Sequence, residues 1–148
     1  MKESHDMGKQ ASSAAKEGAN HSGHFYVYNK TRESFVATEA EVADRYFSRL
    51  IGLLGKTRRW ARPGQGLWII PSHGVHTIGM LFALDLIFLD RNQVVVHIEE
   101  HVRPFRVSKV SLKANSVLEL PPHTVFRTGT QVGDQLEISQ AQPEKQAT

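Results

Sequence analysis

The sequence predicts a mostly β domain, either a β-sandwich or a partly open barrel of about seven or eight short strands with one amphipathic α-helix packed on it. Two observations lead to this prediction. Short runs of β-branched and aromatic residues recur along the chain, separated by turn residues such as Gly, Pro and Asn. A helical repeat of apolar residues stands out in one place, after residue 41.

The first predicted elements are a hairpin and the helix. Residues 25–28 and 34–37 are apolar and aromatic, and they flank a polar turn at residues 29–33, which is the pattern of a β-hairpin. Thr38 and Glu41 then have the spacing of a capping box, which predicts the start of a helix. Gly52 and Gly55 mark its end. The residues of its apolar stripe are Val42, Ala43, Tyr46, Phe47, Leu50, Ile51 and Leu54.

The later elements are predicted as strands joined by turns. In chain order they cover residues 67–70, 75–80, 84–90, 94–102, 116–120 and 135–138. Along the fourth of these, every second position carries Val94, Val96, Ile98 and Val102, interrupted by Glu100, which predicts one mainly apolar face and one mostly polar face.

Length and composition limit the domain organisation and the class of protein. The 148 residues suit a single domain, which we place at residues 24–139. Residues 1–23 and 140–148 lack the apolar content of a core and are predicted to be disordered tails. The absence of cysteine excludes disulfides, thiol nucleophiles and thiolate metal sites. No apolar run approaches the roughly 20 residues of a membrane span, and no secretory signal is visible, so we expect a soluble, cytoplasmic protein.

Basic residues cluster in two stretches of this chain, whose formal net charge is +3. Residues 45–62 contain six basic residues and no acidic one, and the second group is Arg103, Arg106, Lys109 and Lys113. Such clusters are either solvated surface or sites that attract anions. Nucleic-acid binding is therefore an alternative function, although the sequence contains none of the recognised nucleic-acid motifs.

Four motifs in a characteristic order resemble a known family. They are Arg-Leu-Ile-Gly-Leu-Leu at residues 49–54, Val-His-Thr-Ile-Gly-Met at 75–80, Leu-Asp-Leu-Ile-Phe-Leu-Asp at 84–90, and Val-Leu-Glu-Leu-Pro at 117–121 followed by Gly133 and Asp134. Together they are similar to the bacterial and archaeal family called domain of unknown function 192. The resemblance covers roughly residues 34–138 and implies a compact β-sandwich with one helix. It implies no activity, because none is established for the family.

Two acidic residues lie inside apolar strands and are the first candidates for a site. Asp85 stands between Leu84 and Leu86, and Glu119 stands between Leu118 and Leu120. A buried carboxylate is costly unless it is paired, hydrogen-bonded or protonated.

The candidate partners of these acids are Arg45, Arg49, His76 and Thr77. Two interpretations of such contacts are open. The acids can form structural pairs that tie the helix to the sheet, or they can line a polar cleft that binds a small polar or anionic ligand or a partner segment. The residues expected to bind in the cleft are His76, Thr77, Asp85, Glu119, Arg45 and Arg49.

A metal-assisted hydrolase is the enzymatic alternative, and the sequence leaves open whether the protein is an enzyme. Its candidate residues are His73, His76 and Asp85, and a separate interpretation as a catalytic triad would use Ser72, His76 and Asp85. Residues three apart in an extended strand point to opposite faces, so the two histidines share a metal only if Gly74 bends the chain. No Gly-x-Ser-x-Gly elbow is present. We therefore predict no metal site and no cofactor, and the oligomeric state stays open.

Overall fold

One curled sheet holds the strands of the computed structural model, which describes residues 23–43, 62–77 and 80–140. The strands are β1 (Phe25–Asn29), β2 (Ser34–Ala43), β3 (Gln65–Ile69), β4 (Leu84–Leu89), β5 (Val95–Val102), β6 (Ser116–Leu120) and β7 (Leu136–Ser139). Their order across the sheet is β5-β4-β6-β3-β2-β1-β7. The β2–β3 pair is parallel, and the other pairs among the described strands are antiparallel. A short helix, α1 (Thr124–Thr128), lies between β6 and β7.

The two edge strands of the sheet meet near the start of β5 and the start of β7. Val94 and Gln135 form an isolated bridge. Val95 N–H donates to Asp134 O at 2.9 Å, and Leu136 N–H donates to Gln93 O at 3.0 Å. The sheet is therefore a partly open barrel, and the predicted mostly β fold is confirmed.

Apolar cores cover both faces of the sheet. One core, here called the inner core, draws residues from every strand, with half-buried Trp68 contributing for β3. Its buried residues are Val27, Val36, Ala37, Ala40, Ile87, Leu89, Val95, Leu118, Leu120, Val125 and Leu136. The outer core joins β3, β4 and β6 to Met80 and Ala114, which lie outside the strands. Side chains of β4 alternate between the two cores, so all six of its residues are buried.

The predicted start of the helix at Thr38 is wrong, because β2 continues to Ala43. Residues 39–43 pair in parallel with β3, and the N–H groups of Thr38 and Glu39 both donate to Gly64 O at 2.9 Å. Strand pairing on both sides of β2 outweighs the local capping signal, as tertiary contacts commonly do. The rest of the predicted helix, residues 44–54, lies outside the described residues.

Most of the predicted strands are confirmed; one predicted strand is wrong, and the structure contains one helix that was not predicted. The first hairpin, β3, β4, β5, β6 and β7 lie where the sequence indicated. The predicted strand at residues 75–80 is wrong: its described residues form a loop with a single bridge, from His76 to Val107. Helix α1 was not predicted. The predicted tails fall almost entirely on residues 1–22 and 141–148, outside the described part, and remain predictions.

Candidate functional site

Asp85 is buried in β4 and accepts two hydrogen bonds from the backbone. Its Oδ1 accepts the N–H of His101 at 2.9 Å, and its Oδ2 accepts the N–H of Val125 at 2.9 Å. Both bonds satisfy a group that would otherwise be costly to bury. Asp85 therefore fixes the end of β5 and the first turn of α1 to the start of β4.

Glu119 is also buried, but it lies on the other face of the sheet. The register of β4 and β6 places Asp85 opposite Leu120 and Leu86 opposite Glu119. Directly opposed residues share a face and neighbours along a strand alternate, so Asp85 faces the inner core with Leu120. Glu119 instead faces the outer core with Leu86. The two carboxylates do not line one cleft, and the binding role expected of each stays a prediction.

Thr77 is fully buried and forms hydrogen bonds with the loop at residues 103–106. Its hydroxyl donates to Arg103 O at 2.7 Å and accepts the N–H of Arg106 at 2.8 Å. Its backbone N–H donates to Arg106 O, and its carbonyl accepts the N–H of Phe105. The structure therefore brings Thr77 to residues 103–106. Arg45 and Arg49, the remaining expected partners, lie outside the described residues.

Three side chains of the hydrolase alternative, those of Ser72, His73 and Asp85, contact backbone groups. The hydroxyl of Ser72 donates to Gly74 O at 2.8 Å, whereas an activated nucleophile donates to a base. Nδ1 of His73 lies 2.7 Å from Ala114 O. Within the described part of the chain, no three His, Asp or Glu side chains are grouped so as to hold a metal ion.

Residues 103–113, here called the basic segment, run beside residues 73–77. Ser108 N–H donates to Val75 O at 2.9 Å, and Ser111 N–H donates to His73 O at 2.9 Å. The buried hydroxyl of Ser108 accepts the N–H of Val75 at 2.9 Å. Together with the bonds to Thr77, these contacts fix the backbone of the basic segment along most of its length.

The basic segment reverses the usual distribution of polar and apolar side chains. Ser108 points inward, whereas the large apolar side chains of the segment are between 66% and 87% exposed. These exposed apolar residues are Phe105, Val107, Val110 and Leu112. The four basic residues of the segment are exposed as well, and the segment contains no acidic residue. The result is a surface that is both cationic and apolar.

A polar network near the β1–β2 turn was missed by the sequence analysis. Buried Asn29 donates from Nδ2 to Asp134 Oδ2 at 2.9 Å, and Arg32 Nε donates to the same oxygen at 3.0 Å. Burial alone would raise the pKa of Asp134, but hydrogen bonds from Arg32, Asn29 and the N–H of Gln131, with the charge of Arg32, hold that pKa below its ordinary value of 3.8. The sequence signal available was Gly133 followed by Asp134, which was noted only as the end of the fourth family motif.

Two histidines that the sequence did not single out lie close together. His101 ends the part of β5 held by Asp85, and His123 directly precedes α1. Their ring centroids are 5.8 Å apart, with an angle of 31° between the ring planes. Both residues are exposed and have positive φ angles, 51° and 71°.

These features define a mostly β, partly open barrel domain with a carboxylate buried at one end and a cationic, apolar segment on its surface. The chain belongs to the family DUF192, described as Uncharacterized ACR, whose model matches residues 27–138. The resemblance drawn from the four motifs is therefore confirmed.

Two relatives match most of this chain in sequence. A UPF0127 protein of Pyrococcus furiosus is 27% identical over 116 residues, which cover 75% of this chain and 96% of the relative. A UPF0127 protein of Thermococcus sibiricus is 28% identical over a match that covers 75% of this chain and 73% of the relative.

Two crystal structures also match. One, from Sinorhizobium meliloti, is described as a candidate transcription regulator. It has a TM-score of 0.62 at 23% identity, and the match covers 79% of this chain and 93% of the matched chain. The other is a protein of unknown function from Novosphingobium aromaticivorans. It has a TM-score of 0.60 at 20% identity, and the match covers 76% of this chain and 82% of the matched chain. At these identities the likeness shows the fold alone. In the described ranges, no helix has the length and apolar character needed to cross a membrane.

Proposed function

We propose that this chain is a binding domain for an anionic partner and that the basic segment is its contact surface. The observation that carries the proposal is the reversed distribution of side chains: Ser108 faces inward while Phe105, Val107 and Leu112 face solvent. Single exposed apolar residues are ordinary on protein surfaces. Four of them within eight positions form a patch of the kind that marks interaction sites.

The charge of the basic segment indicates the chemistry of the partner. Four exposed cations without an acid in the same segment attract and orient an acidic partner. Protein–nucleic acid interfaces are more polar than protein–protein interfaces, so the exposed valines and leucine favour a protein segment. We therefore propose a partner segment that carries acidic and apolar side chains together.

Binding is tested with a labelled synthetic peptide in which glutamate and leucine alternate. We expect it to bind the full chain with an affinity that falls as salt is added, because cations contribute to the contact. The double variant Arg106→Ser, Lys109→Ser should bind about tenfold more weakly, equal to about 1.4 kcal/mol. The matched control is Lys30→Ser, Arg91→Ser, which removes two exposed charges elsewhere and should bind like wild type.

Three results would count against this proposal. Equal affinity of the two double variants would remove the basic segment as the contact surface. Equally tight binding of a lysine–leucine peptide would show that charge does not select the partner. Tighter binding of single-stranded DNA than of the glutamate–leucine peptide would move the partner to the class of nucleic acids.

Thr77 should support this surface from beneath. Thr77→Val keeps the shape of the side chain but leaves the N–H of Arg106 without its hydroxyl acceptor, which costs about 1–3 kcal/mol. We expect severalfold weaker peptide binding and faster hydrogen exchange at Arg106. Thr77→Ser keeps the hydroxyl and should restore both. Unchanged exchange in Thr77→Val would show that the loop is fixed by other contacts.

A further inference from the structure

We propose that His101 and His123 form a two-histidine site for a divalent transition-metal ion such as Zn²⁺. The two rings are exposed and adjacent at the end of the barrel where β5 ends and α1 begins. They belong neither to the basic segment nor to the cleft residues predicted from the sequence. Imidazole nitrogen is a common ligand of Zn²⁺, Cu²⁺ and Ni²⁺.

The separation of the rings suits a shared metal ion. With Zn–N bonds of about 2.0–2.1 Å, two imidazoles on one tetrahedral ion have ring centroids roughly 5 Å apart. The centroids of His101 and His123 are 5.8 Å apart, within about 1 Å of that value.

A single buried carboxylate holds both histidine-bearing segments in place. Asp85 accepts the N–H of His101 itself on one oxygen and the N–H of Val125, two residues after His123, on the other. The two rings are far apart in sequence, yet their backbones are fixed to the same side chain. Ligands that are fixed before binding lose less conformational freedom when the ion arrives.

The backbone conformation of the two histidines also needs a reason. His101 and His123 have φ angles of 51° and 71°, in the left-handed region that Gly and Asn adopt at lower cost. Strained residues of this kind cluster at functional sites, where the side chain is needed. A role in ligation explains why imidazole side chains occupy two positions that glycine would suit better.

The proposed site is open. Because the described residues contain no group of three His, Asp or Glu side chains suited to a metal ion, His101 and His123 supply two ligands and water supplies the others. An open coordination sphere is the arrangement that leaves room for an exogenous ligand on the metal. A closed structural zinc site, by contrast, uses four protein ligands.

The test is a titration of the full-length chain with zinc chloride. Two readouts are followed: the thermal unfolding midpoint, which rises when an ion binds the folded state, and the histidine Cε1–H resonances. We expect the resonances of His101 and His123 to shift first and together. His101→Asn and His123→Asn should each weaken zinc binding at least tenfold and abolish the rise in midpoint, while Asn tolerates the left-handed backbone.

His24→Asn is the matched control, because His24 is another exposed histidine and lies near the start of the described chain, outside the proposed site. It should keep the full effect of zinc on the midpoint. The proposal is overturned if zinc raises the midpoint equally in the wild type and both site variants, or if other histidine resonances shift first. The resonances are read on the wild type, so a variant that fails to fold leaves the result decisive.

Discussion

Asp85 joins three parts of the chain through its two carboxylate oxygens. The sequence indicated that an acid inside an apolar strand needs a partner, and this was correct. Among the described residues, however, the partners are the N–H groups of His101 and Val125 and not the side chain of His76 or Thr77. Every residue except proline has a backbone N–H, so no residue type in the sequence could identify which ones would bind Asp85.

Asp134 is the residue at which electrostatics affects stability most clearly. Its Oδ2 accepts hydrogen bonds from Asn29, Arg32 and the N–H of Gln131. Because the folded pKa of Asp134 lies below the unfolded value, the charged form is favoured in the folded state. This contribution to stability is complete above the unfolded pKa and is lost as the pH falls through the folded pKa.

Asp134→Asn should therefore destabilise the protein at neutral pH by about 1–3 kcal/mol, because it weakens bonds to a buried group. The difference from wild type should shrink as the pH is lowered from about 5 toward 2, where the wild-type carboxyl also becomes neutral. Urea unfolding at a series of pH values measures this difference. Glu137→Gln, a loss of charge on neighbouring β7, should show a smaller effect. A pH-independent difference for Asp134→Asn would contradict the proposed origin.

At the scale of elements, β2 shows where a local signal misleads. The capping-box spacing of Thr38 and Glu41 predicts a helix, but the chain between them is paired to β1 on one side and to β3 on the other. The pairing with β3 depends on residues 26 positions further along the chain. A capping motif is read within four residues, so it carries no information about such pairing.

The variant Glu39→Pro distinguishes a helix that begins after Thr38 from the strand β2. In a helix capped by Thr38, position 39 is the first helical residue, where proline is well tolerated. In β2 the N–H of Glu39 donates to Gly64 O at 2.9 Å, and proline removes this donor. We expect a loss of about 1–3 kcal/mol in urea unfolding, and little loss for Glu39→Ala. Equal stability of the proline and alanine variants would favour the helix.

Strand β5 was located correctly, but its faces were not. The sequence placed Val94, Val96 and Ile98 on one face, whereas Val95 and Ile98 pack with the inner core and Val96 packs with the outer core. The cause is a bulge: Phe88 pairs with His97 but Leu89 pairs with Val95, so β5 has one residue more than β4 at this point. A bulge reverses the alternation of faces beyond it. Its position depends on the partner strand.

For the complete domain, the sequence predicted the mostly β fold class but did not decide between a β-sandwich and a barrel. Alternating strands have the same pattern in both, because each strand buries one face locally. The distinction depends on whether the edge strands meet, and here Val94 and Gln135, 41 positions apart, form that contact. The same limit applies to the predicted cleft, since the faces of Asp85 and Glu119 were fixed only by the register of β4 and β6.

Leu136 tests the importance of this closure. It is almost fully buried in the inner core, at the start of β7 where the two edges meet. Leu136→Ala should cost about 2–5 kcal/mol, the range for buried leucines. Hydrogen exchange should quicken at Val95 and Val27 together. The control Val132→Ala, at an exposed position four residues earlier, should change stability by less than about 0.5 kcal/mol. Faster exchange confined to β7 would show that the edges unfold independently.

Burial of β4 and β6 on both faces has a consequence for how this family diverges. A strand with one solvated face can change half of its residues freely, but every position of β4 and β6 meets packed neighbours. Substitutions there are tolerated only when volume and polarity are kept. Lineages that drift apart elsewhere should therefore keep these two strands recognisable. Two of the four motifs that carried the resemblance, residues 84–90 and 117–121, include these strands.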